Sequence, residues 1–178
     1  PGDTKVSLVP FSSMVNVGPQ NANASWMDGQ GQSPIHSENF VTPANRFQLY
    51  SHMNGVSWAG CVEARPAPHD VTDTAPTSGN PATLFVPSFA PDEPDEGPPW
   101  GLHNSYIGDG GNCQSGHGTN LLAKQRRTCK YNNVTPDVSL SLGTRRGPNQ
   151  MCDSTAIIPL SSNLATLTTA MLAMQAYG

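Results

Sequence analysis

Apolar positions concentrate at the two ends of the 178-residue chain and are sparse between them. Residues 5–11 form a nearly continuous apolar run, which predicts a short strand that is buried on both faces. Residues 156–160 predict a second strand, and residues 164–177 predict a helix. We expect the two ends to lie side by side, because these elements are too few to form a fold separately.

The C-terminal helix has the clearest pattern in the chain. Ser161, Ser162 and Asn163 are all good N-cap residues, because their side-chain oxygens accept hydrogen bonds from first-turn amides. Apolar residues then recur at helical spacing on one face: Leu164, Leu167, Met171 and Met174. Such a face needs cover that two strands do not supply, so we expect the chain to be part of a larger domain.

The long middle of the chain is rich in turn-forming residues. The sequence contains 17 Gly and 17 Pro. Proline removes backbone donors and interrupts helices, so residues 64–100 are predicted to be extended loop with one short strand at residues 83–86. Residues 120–127 predict one or two helical turns. Charged residues make up only 12% of the chain, which favours an ordered, loop-rich structure over disorder.

The charge balance argues against a nucleic-acid partner. The chain contains nine Lys and Arg and thirteen Asp and Glu, which gives a net charge of −4. The only dense basic run, residues 124–127, is too short to form the basic stripe that neutralises phosphates. No apolar run reaches the roughly 18 residues that a membrane-spanning helix needs.

Four cysteines predict two disulfides and an oxidising compartment, because a loop-rich chain with a small core gains most from cross-links. No Cys-x-x-Cys pair is present, which excludes a zinc ribbon or thioredoxin motif by spacing. Three pairings are open. We favour Cys113–Cys129, which closes a local loop, and Cys61–Cys152, which ties the middle of the chain to its base.

Motifs with catalytic or metal chemistry are weak, and the sequence predicts no enzyme and no cofactor. Asp137–Ser141 spells Asp-x-Ser-x-Ser, but a polar segment ending in proline precedes it, so a chance match or a surface strand is the better interpretation. His103 and His117 with Cys113 and Cys129 lack the paired spacing of a zinc site. The acids at positions 92, 93, 95 and 96 lie between prolines and predict a solvated turn or a weak calcium site.

Large aromatic residues in the middle of the chain are candidates for contact with a partner. We select Trp26, Trp100 and Tyr106 for this role. Trp58 lies close to Cys61 and is assigned to packing instead. Aromatics and acids on loops also suit a secreted hydrolase or a carbohydrate-binding domain, which is the alternative class of function.

Several segments resemble the von Willebrand factor A-like region of TadG-type proteins of the tight-adherence (Flp) pilus system. In chain order, the segments that carry the resemblance are residues 6–13, 15–17, 85–95, 104–106, 130–132, 147–149, 152, 157–163 and 174–178. These segments occur in the family's order over most of the chain. No single one of them would be specific.

The resemblance implies an irregular, loop-rich α+β fold. Residues 1–11 and 155–178 would be pieces of a von Willebrand factor A-like sheet and helix, and residues 12–154 would be a family-specific insertion. The family's metal-binding loops would lie before Pro1 and after Gly178, so no metal site is expected here.

The function implied by the resemblance is a non-catalytic interaction or adhesion module of a pilus assembly protein. Its partners would be protein or surface components of the pilus system. The location would be periplasmic or on the cell surface, with any membrane anchor in other parts of the parent protein.

Overall fold

The computed structural model describes residues 4–41, 43–95, 104–113, 120–141 and 144–174. It is a loop-rich α+β structure with three short helices and three two-stranded antiparallel sheets in this described part. The helices are α1 (Arg46–His52), α2 (Leu121–Arg126) and α3 (Leu164–Leu172). The strands are β1 (Val6–Leu8), β2 (Val15–Asn16), β3 (Cys61–Val62), β4 (Leu140–Ser141), β5 (Thr144–Arg145) and β6 (Ile158–Ser161).

The two ends of the chain pair, as the sequence predicts. Strand β1 is antiparallel to β6, with Val6 opposite Ser161 and Leu8 opposite Ile158. Helix α3 follows β6 and packs on both strands. Its N-cap is Asn163, whose side chain accepts a hydrogen bond from the Thr166 amide at 3.1 Å. We call β1, β6 and α3 the terminal unit.

The prediction that β1 is buried is wrong. Val6 and Val9 are about half exposed, and Phe11 is 77% exposed. In α3 only Leu167 is buried. The pattern predicts the strand and the helix correctly, but the described residues provide no second layer that covers them.

The rest of the described chain forms a body around an aromatic core. Phe40, Phe89 and Tyr131 are almost fully buried and meet edge to face, with ring centroids 5.3 to 5.9 Å apart. Tyr50 adds a fourth ring 5.0 Å from Phe89. Edge-to-face contacts suit the quadrupoles of the rings, so a few large side chains hold together a segment that has little regular structure.

Helix α1 begins at a strong cap. The Asn45 side chain accepts hydrogen bonds from the amides of Phe47 and Gln48, which satisfies donors that a helix start leaves unpaired. Leu49 and Tyr50 of this helix are buried in the core. Helix α2 confirms the short helix predicted over residues 120–127, again with an asparagine cap at Asn120.

The strand predicted at residues 83–86 is not formed. Pro81–Thr83 is a single 3₁₀ turn, and Phe85 makes only an isolated bridge to Met27. Proline at the start of the turn presets the helical backbone angle, and the apolar residues that follow enter the core singly instead of along a sheet.

Candidate functional site

Both disulfides are formed in the pairing that the sequence analysis favours. Cys61 joins Cys152, and Cys113 joins Cys129. The Cys113 and Cys129 sulfurs are therefore bonded to each other, which leaves no thiolate there for zinc. His103 and His117 lie outside the described residues. Two disulfides indicate an oxidising, extracytoplasmic compartment.

The Cys61–Cys152 bond lies at the junction between the body and the terminal unit. Asn16 on β2 is opposite Cys61 on β3. Its backbone oxygen accepts from the Ile157 amide at 2.8 Å, and its side chain donates to the Ser154 carbonyl at 3.0 Å. Covalent and hydrogen bonds thus hold the segment that leads into β6 against the base of the body.

The three aromatic residues selected as partner contacts have different surroundings. Tyr106 is buried, and its hydroxyl donates to the Ala90 carbonyl at 2.8 Å, so it packs in the core and does not face a partner. Trp26 is partly buried, edge-on to Phe85 at 5.9 Å. Trp100 lies outside the described residues.

The assignment of Trp58 to packing agrees with its position. Its ring is buried and meets Phe47 edge to face at 5.4 Å. The indole Nε1 donates to the Cys61 carbonyl at 2.6 Å. This hydrogen bond satisfies the one polar atom of the side chain beside the disulfide.

The acidic segment at positions 92–95 is not simply a solvated turn. Asp92 is fully buried and pairs with fully buried Lys130, with Nζ 2.7 Å from Oδ2. Burial raises the pKa of the Asp92 carboxyl, because the charged form loses its hydration, and the Lys130 charge opposes this shift. Asp95 and Asp109 form a more exposed link, each accepting from the amide of the other. Glu96 lies outside the described residues.

A second cluster of buried polar side chains surrounds the start of α1. His36 Nδ1 accepts from the Arg46 amide at 2.9 Å, which assigns the ring proton to Nε2, facing the Asp28 carbonyl at 3.1 Å. Burial lowers the pKa of His36 below its usual value. The Arg46 guanidinium donates to Glu63 at 2.9 Å and to the Ile35 carbonyl at 2.8 Å.

Sequence reasoning missed these buried charges. Thirty-eight residues separate Asp92 from Lys130, and neither residue is part of a periodic pattern. The position of Lys130 between Cys129 and core residue Tyr131 is the only local signal that its side chain turns inward.

The Asp137–Ser141 segment begins on the surface, with residues 137–139 exposed, in agreement with the surface strand among the sequence interpretations. Its last two residues form β4. Hydrogen bonds from Ser139 hold the pKa of the exposed Asp137 carboxyl below its usual value. Among the described residues, no group of three or more His, Cys, Asp or Glu side chains is arranged to hold a metal ion.

Among the clefts of the body, two that described residues line are open and have volumes of about 220 and 330 Å³. The smaller lies beside α1, near His52 and Asn132. The larger lies beside Cys152, between Val138 and Asn149. Neither is lined by an Asp or Glu among the described residues, so neither brings together the paired acids of glycoside chemistry.

The terminal unit has an unusual surface. Large apolar residues are exposed on all three of its elements and on the adjoining chain: Val6, Val9, Phe11, Leu160, Leu164, Met171 and Leu172. Residues 4–11 and 155–174 contain a single charged side chain, Lys5. Depletion of charge together with exposed apolar groups is characteristic of the core of a protein interface.

No protein family model matches the chain, and neither the curated proteins nor the solved structures include a significant match. Within the described residues, none of the helices has the length and apolar character required to cross a membrane.

Proposed function

We propose that the chain is a non-catalytic, extracytoplasmic interaction module of a TadG-like pilus assembly protein. In this proposal the disulfide-linked body is an insertion carried on a von Willebrand factor A-like base, of which the terminal unit is a part. The observation that supports it best is the apolar, nearly uncharged surface of the terminal unit.

The occupant that suits this surface is an uncharged strand-and-helix layer of the parent domain. Strands β1 and β6 form a two-stranded sheet, so each has one edge without a strand partner in the described structure. An isolated two-stranded sheet is marginally stable in water, and further strands with an apolar face stabilise it. A highly charged partner would be disfavoured, because the unit offers almost no opposite charge to pair with it.

Complementation in the bacterium that encodes the chain tests the proposal. We expect the parent protein with Leu160→Ser and Leu172→Ser to be exported but unable to restore surface piliation to a deletion strain. Val71→Ser is the matched control, because Val71 is 83% exposed on the body, comparable to Leu172 at 81%. This control should restore piliation. A deletion strain with normal pili, or full complementation by the double variant, would contradict the proposal.

A sugar titration addresses the alternative class of function. Saturable quenching of tryptophan fluorescence by an oligosaccharide, abolished by Trp26→Ala, would support carbohydrate binding instead. We expect no saturable change, because Trp26 is partly covered and contacts Phe85 edge-on.

A further inference from the structure

Lys130 and Asp92 form a charged pair that is sealed from solvent. Both side chains are 0% exposed. The Lys130 Nζ donates to Asp92 Oδ2 at 2.7 Å and to the Asp92 backbone carbonyl at 2.9 Å. A buried ion pair is weak evidence for stability by itself, because removing both charges from water costs as much as their attraction returns. The pair therefore raises the question of what else this arrangement does.

The surroundings of the Asp92 carboxyl resemble an acyl-transfer site. Its Oδ1 accepts two backbone hydrogen bonds, from the Tyr106 amide at 2.6 Å and from the Ile107 amide at 2.7 Å. Two backbone N–H groups directed at one oxygen are the elements of an oxyanion hole, which stabilises the negative charge of a tetrahedral intermediate. The lysine lies at the other oxygen, so the nucleophile and the oxyanion donors contact different atoms.

The pair is held in place from both sides. The Asp92 amide donates to the Tyr131 hydroxyl at 2.9 Å. Lys130 lies between Tyr131 and Cys129, which is disulfide-bonded to Cys113. Gly111 approaches so closely that an added Cβ would lie 2.6 Å from Lys130 backbone atoms. Fixed proximity of this kind turns a slow bimolecular reaction into an effectively intramolecular one.

We propose that Lys130 and Asp92 are a site of spontaneous covalent modification, where Nζ and Cγ join in an intramolecular isopeptide bond. A proton first passes from Nζ to Oδ2, which gives a neutral amine and a carboxylic acid. The amine then attacks Cγ, and charge collects on Oδ1 between the Tyr106 and Ile107 amides. A second proton passes from Nζ to Oδ2, the Cγ–Oδ2 bond breaks and water leaves. No oxidant or cofactor is needed.

Two features of the environment favour this direction. Burial raises the pKa of Asp92, which favours the protonated carboxyl that an amine is able to attack. The Tyr131 ring lies 5.6 Å from the Lys130 Nζ and both side chains of the pair are fully buried, which limits the access of the water that would reverse the reaction. The inference does not depend on the pilus proposal, because it concerns only the interior of the body.

The intact mass of the purified, reduced and unfolded chain tests the proposal. We expect a mass about 18 Da below that of the sequence, which corresponds to one lost water. Fragmentation of a proteolytic digest should join the peptide that contains Asp92 to the one that contains Lys130. The full sequence mass in the wild-type chain would overturn the proposal, and this result does not depend on the folding of any variant.

Lys130→Arg is the matched control. It keeps a positive charge for Asp92 but has no amine to form the bond, so it should show its full sequence mass. The same loss of water in Lys130→Arg, or a link mapped to another pair of residues, would assign the dehydration to a different site and overturn the proposal.

Discussion

The body and the terminal unit distribute their side chains in opposite ways. The body has charged groups in its interior, with Asp28, Arg46, Asp92 and Lys130 almost fully buried. The terminal unit places large apolar groups on its surface and has almost no charge. A body whose buried charges are paired within it, as Lys130 is with Asp92 and Arg46 with Glu63, is suited to fold by itself. A unit with uncovered apolar groups is suited to join another structure.

The Cys61–Cys152 disulfide connects the two regions. Its removal should lower the free energy of unfolding more than any of the other changes below. The bond spans 91 residues, and by loop-closure entropy its removal costs about 4 to 5 kcal/mol. We expect Cys61→Ser with Cys152→Ser to lower the free energy of unfolding by this amount in urea titrations. The Cys113–Cys129 disulfide closes a shorter loop, with a sequence separation of 16. Cys113→Ser with Cys129→Ser should therefore lower the free energy of unfolding by only about 3 kcal/mol. Equal losses would show that loop entropy does not control the difference.

Removing one member of the buried pair tests the polar interior of the body. Lys130→Met leaves Asp92 buried without a counter-charge, which costs about 3 to 5 kcal/mol. The loss should be seen in the midpoint of chemical unfolding. Lys5→Met, directly before β1, removes an exposed lysine and should change the free energy of unfolding by less than about 0.5 kcal/mol. A similar small loss for both would mean that water reaches Asp92.

The pH dependence of the free energy of unfolding should reflect the protonation of His36. Its pKa is lowered in the folded state by burial, so the unfolded chain binds the proton first as the pH falls below about 6.5. The contribution of His36 to the free energy of unfolding is therefore fully present above about pH 6.5. It decreases below that pH, by at most about 1.4 kcal/mol per pH unit. An Asp92 carboxyl that is not joined to Lys130 contributes in the opposite direction, because its raised pKa favours the folded state as acid is added.

The contribution of His36 is isolated by a difference measurement. His36→Gln should reduce the slope of unfolding free energy against pH between 6.5 and the folded-state pKa. Unfolding curves of both proteins at several pH values measure this slope. The same slope in both would assign the acid sensitivity to other groups.

Changes on the terminal unit should affect stability least. Leu160 is 68% exposed, so Leu160→Ser should change the free energy of unfolding by less than about 0.5 kcal/mol. It should reduce the binding of a hydrophobic fluorescent dye instead, because it removes exposed apolar surface. Leu49 is buried on α1, so Leu49→Ser should instead lower the free energy of unfolding by a large amount. A large stability loss for Leu160→Ser would show that this side chain is covered in solution.

The elements predicted from local pattern and those that were missed have different physical origins. Helix α3 and its Asn163 cap follow from neighbouring residues, so periodicity and cap preference were sufficient. The strand predicted at residues 83–86 failed because isolated apolar residues there fill separate positions in the core. The burial of Tyr106 and Asp92 does not follow from the sequence, because composition alone does not show which loop residues turn inward.

The sequence by itself determined the mixed, loop-rich class, the cap and apolar face of helix α3, the short helix near residues 120–127, and the cysteines available for two cross-links. These depend on backbone preferences and residue chemistry within a few positions of one another. Only the tertiary structure decided the aromatic core, the burial of Asp92 with Lys130, and the exposure of β1. Each of these depends on contacts between residues far apart in the chain, and no local pattern specifies which distant side chain will satisfy a buried charge or leave an apolar one uncovered.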